Sequence, residues 1–64
     1  MTMDEAQKAW AYSPKGKMSS RQRSDLNGGT WTMRGETPIL EGQRFKAVSS
    51  KNEKGNISFR IDKL

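Results

Sequence analysis

The side chains of this chain best suited to act on a partner are its cations. Twelve Lys and Arg stand against seven Asp and Glu in 64 residues, a formal net charge of +5. They fall into two groups by spacing. Lys15, Lys17, Arg21 and Arg23 occupy a stretch whose sole acid, Asp25, comes at its end. Arg34, Arg44, Lys46 and Arg60 instead alternate with Met33, Phe45, Ala47, Phe59 and Ile61. That spacing sends cations to one side of a sheet and apolar side chains to the other. Cations sharing a face with Thr and Ser hydroxyls suit a phosphate backbone, where charge neutralisation sets affinity and hydroxyls add contacts. An ordinary solvated strand exterior has the same pattern, because alternation alone makes one face polar.

Other chemistries lack their residues. His and Cys are absent, which removes imidazole bases, thiol nucleophiles and Ser-His-Asp relays. It also removes the usual ligands of structural zinc. The carboxylates occur singly, and the six glycines follow no phosphate-loop or dinucleotide pattern. The expectation is a protein that is not an enzyme and uses no cofactor and no metal. A chain without cysteine builds no disulfide framework, which fits a reducing compartment. The longest apolar run, Ala9 to Tyr12, is far too short for a membrane span or a signal-peptide core. A cytoplasmic location without membrane contact is therefore expected.

Trp10, Tyr12 and Trp31 are the aromatic residues able to stack on bases or anchor a partner. Trp31 shares the parity of Met33 and is expected in the core. Trp10 and Tyr12 lie on a short helix of a protein with only 31% hydrophobic residues, so they are candidates for a partner-binding surface, with Trp10 alternatively an anchor of the fold itself. So short a chain buries little interior, and a partner or a second copy would stabilise it. Nucleic acid, an acidic protein partner and a homo-oligomer are the partner classes that fit.

These residues must be positioned by few elements. Residues 1–13 read as a short helix: Thr2 and Glu5 have capping-box spacing, Lys8 follows Asp4 by four, and Met3, Ala6, Ala9 and Trp10 share a face. Ser13-Pro14 ends it. Residues 14–28 show no period and read as a flexible basic loop, with a short strand near Arg21 to Leu26 as the alternative ahead of an Asn27-Gly28 turn. Residues 29–64 read as a small β domain. Strand patterns run from Thr30 to Arg34, through Ile39-Leu40, from about Gln43 to Ser49, and from Asn56 to Leu64. Pro38 is expected at a turn or an edge, Gly42 at a bend, and Gly55 at a positive-φ turn position. Short connections favour an antiparallel meander of three or four strands.

The fold class is therefore α+β, mostly β. From Trp31 to Ile61, the strand rhythm and the bend at Glu41-Gly42 resemble those of small SH3-like or OB-like barrels. That resemblance implies a small barrel and carries no site residue with it. The expected function is that of a small basic accessory protein contacting DNA or RNA non-specifically through the basic sheet face and loop. The alternative is a small regulator or inhibitor docking on a larger enzyme or assembly through Trp10 and Tyr12.

Overall fold

The computed structural model describes residues 1–12 and 18–64. Helices α1 (Met3–Tyr12) and α2 (Ser20–Asn27) precede strands β1 (Thr30–Arg34), β2 (Thr37–Glu41), β3 (Phe45–Lys51) and β4 (Ile57–Lys63). The strands form one antiparallel sheet in the order β1-β2-β3-β4. The fold is thus α+β, mostly β. β1 and β4 are unjoined edges, so the sheet is open and not a closed SH3-like or OB-like barrel. Two helices, packed on β3 and β4, cover apolar surface that a barrel would have enclosed by closing on itself.

α1 forms where its capping signals place it. Thr2 N donates to Glu5 Oε1 at 3.0 Å and Glu5 N donates to Thr2 Oγ1 at 3.1 Å. Lys8 pairs with Asp4 at 3.4 Å. A helix this short does not persist alone, and the sheet supplies what it lacks. Ala6 and Trp10, four residues apart and so on one face, are buried. The Trp10 ring meets Phe59 edge-on, with centroids 5.1 Å apart. Of the two places open to Trp10, a partner-binding surface and the fold itself, the structure shows the second: it anchors α1 in the core. Lys51 Nζ reaches Glu5 Oε2 at 3.0 Å and ties the start of α1 to the end of β3.

Residues 20–27, expected within a flexible loop or as a short strand, form α2 instead. Ser19 Oγ accepts from Gln22 N and Gln22 Oε1 accepts from Ser19 N, each at 3.2 Å, a second capping box. Leu26 is fully buried, and its carbonyl accepts from Gly29 N at 3.0 Å where the helix ends. Asn27-Gly28 thus closes a helix and makes no hairpin. Lys15 and Lys17 lie outside the described residues.

One face of the sheet carries Trp31, Leu40, Ala47 and Ile61 in a cross-strand row. Leu40 and Ala47 join Trp10 and Leu26 as the buried core, with Met18, Trp31, Phe45, Phe59 and Ile61 packed around them. Met33 shares their parity but stays 43% exposed on edge strand β1. Pro38, expected at a turn or an edge, is buried within β2 between two strands. It is tolerated because the β2–β3 register begins one residue later, at Ile39, so no ladder bond is lost. The Ser49 hydroxyl donates to the Pro38 carbonyl at 2.6 Å. The β1–β2 hairpin turns through Gly35-Glu36, with Gly35 at φ 62°, the first position of a tight hairpin turn that glycine fills without strain.

Replacing Trp10 by Ala should cost about 3–5 kcal/mol, the usual loss for a buried large aromatic. That is comparable to the whole margin of a domain this small. Urea titration followed by far-ultraviolet circular dichroism should show unfolding at markedly lower urea. An unchanged midpoint would place the indole outside the core.

Candidate anion and nucleic-acid interface

Cross-strand register decides which cations share a surface. On the face turned away from the helices, Thr32, Ile39, Val48 and Arg60 form one row, and Thr30, Glu41, Lys46 and Asp62 the next. Arg34, Lys46 and Arg60 do come to this face together, beside the bonded hydroxyls of Ser50 and Ser58. Two of the three are committed to acids. Arg60 Nε lies 3.0 Å from Asp62 Oδ1, and Arg34 Nη2 lies 4.0 Å from Glu41 Oε1. Lys46 stands between Glu41 and Asp62 in the register, so charge alternates along that row. Alternating neighbours favour the observed pairing, as opposite charges across strands do generally. The face is consequently less basic than the spacing of its cations alone implies.

A second group assembles at the corner between β2 and β3. Arg21, Gln43, Arg44, Phe45, Lys63 and Leu64 line a pocket of about 560 Å³. Arg21 comes from α2, Arg44 from the residue before β3, and Lys63 from the last position of β4, opposite Phe45. No Asp or Glu is among the lining residues. Among the described residues, none of these three cations makes an ion pair within 4.0 Å. Arg44 was expected with the sheet-face cations but lies just beyond the strand, at this corner. Arg23, two residues on from Arg21 and so on the other side of α2, points Nη2 to the Met18 carbonyl at 3.4 Å.

The corner is built by Asp25. Its Oδ1 accepts from Gln43 N at 3.1 Å, and its Oδ2 accepts from Arg44 N and Phe45 N, each at 3.0 Å. Successive backbone N–H groups gathered on one oxyanion form a nest of partial positive charge. The N–H of Arg44 above all, with those of Phe45 and Gln43 and the Arg44 charge, holds the Asp25 carboxyl below its ordinary value against the opposing effect of desolvation. Gly42 makes the approach feasible: a Cβ there would collide with the Asp25 carboxylate and carbonyl. Its own N–H donates to Phe45 O at 2.8 Å and closes the bend. Arg21 lies four residues before Asp25 on the same side of α2, so docking Asp25 carries Arg21 to the pocket.

Of the residues at this corner, spacing in the sequence singles out Arg21 and Arg44 as candidates and does not single out Lys63, Gln43 or Asp25. Lys63 has the parity of the core residues Phe59 and Ile61, and only its position at the end of β4 turns it to the pocket. Tyr12, the other partner-binding candidate, is 88% exposed at the end of α1. Among the described residues no helix is long and apolar enough to cross a membrane.

Glu5 and Asp25 are the carboxyls that folding holds below their ordinary values among the described residues. Hydrogen bonds from the Thr2 backbone, the Lys51 side chain and the Thr2 hydroxyl lower Glu5 from 4.5 to about 2. A carboxyl lowered by folding contributes fully above its unfolded pKa, and the contribution disappears as pH falls through its folded pKa. The urea midpoint should therefore drop as pH falls from 4.5 towards 2 for the Glu5 part. Glu5→Gln and Asp25→Asn should each flatten the profile, and a wild-type midpoint constant over that range would contradict both assignments. Gly42→Ala should destabilise at every pH, since the collision is steric. No protein-family model, curated protein or solved structure matches the chain in the comparisons with known proteins.

Proposed function

We propose that this protein is a small accessory module that binds DNA or RNA through its phosphate backbone, without reading sequence and without catalysis. The observation that carries this function is the convergence of Arg21, Arg44 and Lys63 on one pocket with no Asp or Glu side chain in its lining. Guanidinium and ammonium groups brought together by folding neutralise phosphate with less ordering than scattered surface cations would need. Lys46, two residues beyond Arg44 in β3, adds one cation on the sheet face, where Glu41 and Asp62 flank it in the register. Arg23 within α2 and, by sequence, Lys15 and Lys17 ahead of it add further charge. The cytoplasm is the compartment in which such a module would meet its ligand.

A second function, docking on a larger protein as a regulator, is favoured by the exposed Tyr12 and by the unpaired edges of β1 and β4, which could accept a strand. The acidic surface of a partner would complement the same cations.

Oligonucleotide anisotropy titrations over a range of salt concentrations separate the two. Binding should weaken steeply with salt, and each of Arg21→Gln, Arg44→Gln and Lys63→Gln should reduce the slope of log K against log salt by about 0.9 on duplex or about 0.7 on single strands. Arg60→Gln should change it less, because Asp62 already holds that guanidinium. Absence of binding to both duplex and single strands at low salt would overturn nucleic-acid binding and leave protein docking.

A further inference from the structure

We infer that the corner pocket takes a single nucleotide unit, its phosphate on Arg21, Arg44 and Lys63 and its base against Phe45, so that the protein prefers single strands to duplex. This rests on the nucleic-acid function and names the ligand class of the same pocket. A phosphate site alone needs only cations, but this pocket also has an apolar wall and an amide. Phe45 is partly buried, packs on the core and contributes to the pocket lining. Its backbone is held on two sides, by Asp25 at its N–H and by Gly42 N–H at its carbonyl. Phe45 thus joins the pocket lining from a backbone held in place, and an aromatic side chain there is what stacking on unpaired bases exploits.

Gln43 supplies the polar counterpart. Its backbone N–H is used by Asp25, its side chain makes no hydrogen bond among the described residues, and the residue lines the same pocket. An amide offers both donor and acceptor, so it can meet the edge of any base without demanding one. A volume of about 560 Å³ falls in the size range of small-molecule sites. Bases of a duplex are stacked and paired, and lifting one into a pocket costs unstacking energy that a single strand does not incur.

Three short fluorescent oligonucleotides of equal length test this at low salt: a single strand, its abasic counterpart with the same phosphates, and the matched duplex. The single strand should bind roughly 5- to 160-fold more tightly than the abasic strand, the range expected for one stacked base. It should also bind more tightly than the duplex. Phe45→Leu should remove that preference and leave the salt dependence in place, with tryptophan emission reporting whether the variant is folded. Gln43→Ala, at an exposed position whose backbone bond is unaffected, should weaken the preference without loss of fold. Equal binding of all three oligonucleotides by the wild type would overturn the nucleotide pocket and leave backbone binding standing. Failure of all three to bind would overturn both.

Discussion

One carboxylate organises this protein. Asp25 receives hydrogen bonds from three consecutive backbone N–H groups at the β2–β3 corner. That satisfies donors at a bend where no strand is available to accept them. It also fixes α2, an eight-residue helix with a single fully buried side chain, against the sheet. Apolar area at Leu26 alone gives such a helix little direction, because hydrophobic contact is non-directional. The three bonds set its angle and register. Gly42 is where the chain admits Asp25, and Arg21 arrives at the pocket because it lies one turn before Asp25. The fold and the candidate site thus share one origin.

Charge is divided between structure and binding by the same geometry. Lys8, Lys51, Arg34 and Arg60 face Asp4, Glu5, Glu41 and Asp62 respectively, and these pairs mark a helix start, a helix–sheet tie and the exposed sheet face. Exposed pairs of this kind contribute little energy each, but they neutralise the cations involved. Asp25 spends its charge on backbone N–H groups, so Arg21 and Lys63 are left without a paired carboxylate. The positive charge of the chain therefore appears at the corner more than on the sheet, although spacing along the strands points to the sheet.

Local signals were legible in the sequence and packing was not. Thr2 and Glu5 announced α1, alternation from Thr30 to Arg34 announced β1, and Gly55 has the positive φ, 85°, that its turn demanded. The inward set of Phe45, Ala47, Phe59 and Ile61 also follows from parity. α2 was hidden because Met18 and Leu26 are too few apolar residues to show a helical period. Its Ser19–Gln22 capping box was present and would have revealed it. The place of Trp10 depends on Phe59 lying opposite it, which no local signal in the sequence discloses. Pro38 looked like an edge residue because sequence does not disclose that the β2–β3 ladder begins after it. The Asp25 contact spans some twenty residues of chain, beyond any periodicity.

Amide hydrogen exchange at Gln43, Arg44 and Phe45, resolved by nuclear magnetic resonance, tests the central role of Asp25 most directly. These three amides lie at a bend beside the start of β3, where solvent would otherwise be their partner. If Asp25 holds the corner, they should exchange as slowly as the amide of Ala47 within the sheet, and should lose protection together once acid protonates Asp25. Exchange at the rate of an open loop, while α2 and the sheet stay protected, would show that the helix is docked by something other than this carboxylate.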